Sequence, residues 1–169
     1  MKNGQSDPRS ETHPKGVQRV LETAEAAGLS IELVEYPDGT RTAVDAAAAV
    51  GCDVGQIVKS LIFEVDGDLV LALTSGANQV DTDALLAHAG GEVCGRANAD
   101  QVREVTGFAI GGVAPFGHLN EIRSFFDPAL LQYDEVWAAA GTPRHVFAID
   151  PNALLTLTGA TEAPFGVAP

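Results

Sequence analysis

Basic residues are scarce in this chain of 169 residues: Lys and Arg number 10 against 23 Asp and Glu, for a formal net charge of −13. That balance excludes a stand-alone DNA- or RNA-coating protein, because phosphate contacts dominate such affinity. Recognition of one end of an RNA is still open. Aromatic residues are equally sparse, at 6%, so alanine and valine must fill much of the core. Cys52 and Cys94 are the only cysteines and form no C-x-x-C, which rules out a disulfide framework and a zinc-finger spacing. The four histidines, His13, His88, His118 and His145, make no H-x-x-x-H pair, so a zinc site is disfavoured. No apolar run of about 18 residues exists, and no membrane span is expected. The opening "MKNGQSDPRSETHPKG" lacks the apolar centre of a signal peptide, which makes a cytoplasmic protein the expectation.

The length favours one domain. Residues 1–14 read as a polar, disordered tail, 15–160 as the folded domain and 161–169 as a loose C-terminal tail. Val17, Val20, Leu21 and Ala24 form a helical stripe that Gly28 ends. "IELVEY" (31–36) is a strand stopped by Pro37-Asp38-Gly39, and Thr42 with Asp45 opens an alanine-rich helix ending at Gly51. "QIVKSLIFEV" and "DLVLALTS" flank Asp66-Gly67, a strong hairpin signal. Asp81 caps "TDALLAHAG", "GEVCGRA" is a short strand, and Asn98 with Gln101 opens a helix closed by Gly107. "IRSFFD" is a strand, "EVWAAA" and "RHVFAI" flank "GTP" as a second hairpin, and Asp150-Pro151 starts a last helix. Hairpins mixed with short helices give an α+β pattern rather than strict βαβ alternation.

Three stretches carry candidate chemistry. Lys59 interrupts an apolar strand and, by alternation, shares a face with Ile57, Leu61 and Phe63. It is either a lysine whose stem lies on apolar surface with its head in water, or an ammonium held in a cleft. In a cleft it could serve as a fixed cation or, with a lowered pKa, in proton transfer. "GFAIGGVAPFGH" (107–118) groups Gly107, Gly111, Gly112 and Gly117 around Pro115. Its amides could converge on a carbonyl oxygen, or it could be a tight connection whose Phe116 and His118 pack the loop or line a pocket. It is neither a Walker A loop nor a Rossmann fingerprint, and no cofactor motif stands elsewhere. "GTPRH" (141–145) ends in His145, either a satisfied core histidine or a general acid–base. No G-x-S-x-G elbow exists, and Ser60 and Ser75 lack any triad context.

Taken in order, V-K-S-L-I-F, G-F-x-I-G-G-V-x-P-F-G-H, a strand ending in Asp, and W-A-A-A-G-T-x-x-H resemble the YbaK family, the prolyl-tRNA synthetase-associated editing domain. The likeness spans roughly residues 15–160. It implies a single domain with a mixed, partly barrel-like sheet surrounded by short helices. It implies an aminoacyl-tRNA deacylase that cleaves the ester of a small mischarged amino acid without a cofactor. Lys59 matches the family's strand lysine, and Gly111, Gly112, Pro115, Phe116 and Gly117 fall on its pocket loop. Gly141 matches the late-loop glycine, and His145 takes the place of a histidine found in some branches. The expected partners are the acceptor end of an aminoacyl-tRNA and a synthetase that recruits a separate editing protein. The alternative is a non-catalytic module of this fold that binds a small molecule or aminoacyl-like ligand.

Overall fold

A computed structural model describes residues 13–40 and 42–169; most of the expected N-terminal tail, residues 1–12, lies outside them. Helix α1 (Lys15–Ala26) buries Val17, Val20, Leu21 and Ala24, the stripe seen in the sequence. Strand β1 (Leu33–Glu35) is shorter than the "IELVEY" run. Helix α2 (Ala43–Val50) starts where Thr42 Oγ1 accepts the Asp45 N–H at 3.0 Å and stops at Gly51, whose φ of 79° needs no Cβ.

Strands β2 (Ile57–Val65) and β3 (Asp68–Ser75) are the centre of the sheet. Asp66 and Gly67 both take positive φ, 50° and 91°, as a two-residue turn matched to strand twist requires. Then come β4 (Gln79–Val80), α3 (Thr82–Ala89), β5 (Cys94–Arg96) and α4 (Ala99–Thr106), the last opened by a reciprocal Asn98–Gln101 capping box. β6 (Arg123–Phe126), β7 (Val136–Ala139), β8 (His145–Ile149) and α5 (Pro151–Thr158) follow.

The main sheet runs β1-β8-β7-β2-β3-β6, with β5 pairing β2 beside it. The β2/β7 and β3/β6 pairs are parallel, whereas β2/β3, β2/β5, β1/β8 and β7/β8 are antiparallel. The sheet is therefore mixed, and the fold is the expected single-domain α+β one. Val58, Ile62, Leu71 and Leu73 face a core shared with Phe108, Phe116, Phe147 and Leu154. The other face splits into two patches: Phe63, Val65, Ala72 and Phe125 pack with Leu85 of α3, while Ile57 packs with Ala46 and Ala47 of α2.

One expectation needs correcting. Residues 161–169 do not form a loose tail. Thr161–Glu162 (β9) joins the sheet beside β6, and Gly166–Val167 (β10) pairs with β4. Ala163 and Phe165 between them are buried against Phe125 and Leu85. Burying one phenylalanine stabilises a fold by about 1.5–3 kcal/mol, enough to hold two-residue strands that have no intrinsic stability.

Candidate functional site

Strand β2 has β3 along its whole length on one edge, but its other edge is divided. The β7 ladder covers only Ile57 and Val58, and the β5 ladder begins at Phe63. A cavity of about 450 Å³ opens at this fork. Ile57, Lys59 and Leu61 line it from one face of β2, under Ala43, Ala46 and Val50 of α2, with Trp137, Ala139 and Val146 beside them. Through the gap it reaches Ser60, Ile62, Ala97, Val102 and Val113. Val44 and Ile110, both exposed, form apolar lips at its mouth.

Among the described residues that line the cavity, Lys59 and Arg96 alone carry charge. Lys59 is half-buried, its stem on the apolar face predicted from strand alternation. Its Nζ donates to the carbonyl of Asn78, in the turn after β3. That turn is held by Asp127, a carboxylate only 2% exposed, whose Oδ2 accepts from Asn78 Nδ2 at 2.9 Å and from the Ser75 N–H at 3.1 Å. Burial lowers the Lys59 pKa from its ordinary value; nearby Arg96 lowers it further, and Asp127 opposes both. Arg96 sits opposite Phe63 in the β2/β5 ladder, its guanidinium carbon 5.5 Å from the Phe63 ring centre, which fixes the cation beside Lys59's face.

The glycine loop is placed by packing. Arg19 of α1 lies over Phe108 at 4.8 Å and donates to the carbonyls of Gly117 (3.1 Å) and Thr106 (3.3 Å). Gly111 lines the cavity. Gly112 does not: its N–H donates to the Ala109 carbonyl at 3.0 Å, and a Cβ there would stand 2.6 Å from Thr142 Cα. Its amide is spent inside the loop, so the expected pair of converging loop amides does not form. Pro115 and Phe116 are buried, the Phe116 ring edge-on to Phe147 at 5.5 Å. Gly117 lies against the α1 backbone, and Gly141, at φ 103°, passes close to Gly16. None of these four lines the cavity.

His145 is likewise outside it. Strand alternation sets it on the face of Phe147 and Ile149, opposite the cavity-lining Val146. Its Nδ1 shares a 2.6 Å hydrogen bond with Thr142 Oγ1 and its ring meets His13 edge-on at 6.0 Å. Desolvation pushes the imidazole below the ordinary range; Glu35, 3.9 Å from Nε2, opposes this, while His13 and Arg144 add to it. The Thr142–His145 hydrogen bond closes the turn into β8. His118 is similarly committed, its Nε2 donating to the Ala114 carbonyl at 2.8 Å. Of the expected site residues, the cavity thus gathers Lys59 and Gly111. It adds Arg96 and also Ser60, the residue after Lys59 in the V-K-S-L-I-F run.

No group of three or more His, Cys, Asp or Glu among the described residues could hold a metal. No helix among them is long and apolar enough to cross a membrane.

Comparison with known proteins bears on this geometry. A family model described as the aminoacyl-tRNA editing domain matches residues 37–157, which include the whole cavity wall. An uncharacterized protein, YwhH, of Bacillus subtilis is 26% identical over 73% of this chain and 78% of its own. The proline–tRNA ligase of Maridesulfovibrio salexigens is 35% identical over 60% of this chain, which spans only 17% of that enzyme. A solved structure described as a "putative trans-editing enzyme for prolyl tRNA synthetase" superimposes with a TM-score of 0.86 at 44% identity, covering 93% of this chain and all of that one. With the family model matched across well over half of its length, the chain belongs to the aminoacyl-tRNA editing domain family.

Proposed function

We propose that this protein is a trans-acting deacylase that hydrolyses the ester between a small, wrongly attached amino acid and the 3′ end of a tRNA. The observation that carries the reading is the charge of the cavity: two cations and no carboxylate among its described lining residues, in a chain with a net charge of −13. A local positive site in an acidic molecule focuses an anionic substrate on one spot. Contact is confined to the acceptor end, whose terminal phosphate meets Lys59 and Arg96. The opposite wall, with Ala97, Val102 and Val113, suits a small apolar side chain. One methylene is worth only about 1–3 kcal/mol of discrimination at a synthetase, which is why a second pocket is needed. The misacylated tRNA comes from a synthetase, proline–tRNA ligase being the natural candidate, and the protein works with it in the cytoplasm.

An aminoacyl ester is already activated, so positioning and polarisation suffice. Water oxygen bonds to the ester carbonyl carbon, the bond from that carbon to the ribose oxygen breaks, and the ribose oxygen leaves as the hydroxyl with the water's proton. Lys59 holds the ribose–phosphate side in place. The turn that closes at His145 positions Val146 and the β7/β8 hairpin rather than moving a proton. The test is deacylation of a panel of mischarged tRNAs by wild type and Lys59→Ala. Hydrolysis of one small mischarged amino acid, reduced at least a hundredfold in the variant, supports the reading. No hydrolysis of any substrate, or equal hydrolysis by the variant, overturns it in favour of a non-catalytic binding module.

A further inference from the structure

The fork in the sheet leaves one rung of a ladder empty. The Ile57 carbonyl accepts the Gly76 N–H at 2.7 Å, which sets the phase of the β2/β3 pair: Ile57, Lys59, Leu61 and Phe63 spend their backbone groups on β3. Val58, Ser60, Ile62 and Glu64 therefore direct theirs to the opposite edge. Val58 is met there by Ala138 of β7, the Ile62 carbonyl by the Ala97 N–H at 3.1 Å, and Glu64 by Gly95 of β5. Ser60 falls between the two ladders. Among the described residues nothing pairs with its N–H or its C=O on that edge, and Ser60 lines the cavity. A backbone donor and acceptor side by side on a partly buried residue, with no protein partner on that edge, are open to a ligand that replaces water there.

We infer that this empty rung seats the aminoacyl group itself, which docks on Ser60 as a strand one residue long. The inference rests on the deacylase reading above. An aminoacyl ester carries the donor and acceptor of a single residue, an α-ammonium and a carbonyl. In an antiparallel pair two opposed residues exchange both hydrogen bonds, whereas in a parallel pair one residue divides its bonds between two neighbours. Only the antiparallel arrangement lets one aminoacyl residue satisfy Ser60 completely. Its α-ammonium donates to the Ser60 carbonyl, and its ester carbonyl accepts from the Ser60 N–H. That N–H then faces the oxygen on which negative charge grows during attack, the role the Gly112 amide cannot fill.

The orientation follows without further assumption. Opposed residues carry their side chains on the same face. The bound amino acid thus points its side chain to Ser60's face, toward Ala97, Val102 and Val113. Antiparallel direction runs its carbonyl end toward Lys59, so the ribose and terminal phosphate fall on the face that carries Lys59 and, through the Phe63–Arg96 pair, Arg96. The apolar wall and the cations lie where this register sends the two halves of the substrate.

The experiment uses the full chain and 3′-(L-alanylamino)-3′-deoxyadenosine, whose amide resists hydrolysis. With selectively labelled protein, the Ser60 amide resonance should move downfield and its hydrogen exchange should slow at least tenfold on saturation. The propionyl analogue, which lacks the α-ammonium, should bind at least tenfold more weakly. Replacing the Ser60 amide by an ester, through incorporation of the α-hydroxy acid, should lower deacylation about 100- to 1000-fold, as removal of an oxyanion donor does. Tm should fall only slightly, since this N–H bonds nothing in the free protein and the ester otherwise weakens only the Lys59 carbonyl as an acceptor from β3. An unmoved Ser60 resonance on saturation, failure of the probe to bind at millimolar concentration, or an ester variant with wild-type rate overturns the inference. Because wild-type deacylation of tRNA is measured in the same series, its presence alongside any of these results leaves the deacylase reading standing and removes only the rung.

Discussion

Asp127 offers the most direct way to perturb the lysine without touching it. Its carboxylate is buried and serves three donors: Oδ2 accepts from the Ser75 N–H and Asn78 Nδ2, and Oδ1 accepts from the Ala129 N–H at 2.9 Å, capping the turn at Pro128–Gln132. In Asp127→Asn one oxygen remains and can keep the Ala129 cap. The amide nitrogen then confronts two donors, and flipping the side chain only exchanges which donors lose. The Ser75 N–H is deeply buried, so its loss costs about 1–3 kcal/mol. Asn78 is partly exposed, and water recovers part of its hydrogen bond. The variant should lose about 2–4 kcal/mol, within the total of about 5–15 kcal/mol typical of a domain. Asp127→Ala also loses the cap, worth about 1 kcal/mol, and should be the less stable of the two. The same change frees the Asn78 turn and removes the charge that supports the ammonium, so the Lys59 pKa falls further in Asp127→Asn. Urea denaturation reads the first effect, and NMR titration of the Lys59 side chain reads the second. A stability loss below about 0.5 kcal/mol together with an unmoved Lys59 titration would falsify this account of how the lysine is held.

Arg96→Gln should raise KM several-fold at a kcat within about twofold, and should flatten the dependence of log affinity on log salt by roughly 0.7, one single-strand phosphate contact; an unchanged salt slope places the phosphate elsewhere. Because the folded-state pKa of Lys59 lies below its unfolded value, the folded protein binds fewer protons between the two, and wild-type stability gains from this group as pH rises through that window. The stability of Lys59→Met relative to wild type should therefore decline as pH rises toward about 10.5, measured by urea midpoints at each pH, and a parallel pair of curves refutes it. Burial likewise lowers the His145 pKa, so wild type should lose stability faster than His145→Asn as pH falls below about 6.5; equal acid sensitivity removes the titrating role. Gly112→Ala drives a Cβ into the Thr142 backbone and should cost at least about 2 kcal/mol, whereas Gly95→Ala, with nothing within 4 Å and no positive φ, should stay within about 0.5 kcal/mol.

What was legible in the sequence was whatever depends on near neighbours. The Asp66-Gly67 turn, the Thr42, Asp81 and Asn98 caps and the glycine stops all follow from local chemistry and stand in the structure. Alternation alone put Lys59 on the face of Ile57 and Leu61. The C-terminal strands were missed because two residues show no period; only the burial of Phe165 reveals them. The places of Arg96 and Ser60 in the cavity are not legible for a different reason. Each gains its place from pairings between β2, β5 and β7, segments far apart in sequence. His145 sits one residue before a cavity wall, and a one-residue shift on a strand reverses the face.

The acidity of the chain and the charge of its cavity fit one electrostatic picture. Lys59 and Arg96 repel one another, and this repulsion is part of what lowers the Lys59 pKa. A phosphate bridging the two relieves a cost already present in the free protein. A chain with many more cations would gain affinity for every RNA phosphate and lose preference for a chain end. With −13 charges overall and both lining cations on one face of the β2 fork, contact away from that fork is repelled. Neutralising surface carboxylates distant from the cavity should therefore strengthen binding of uncharged and charged tRNA alike, and so erode discrimination while leaving the hydrolytic step unchanged.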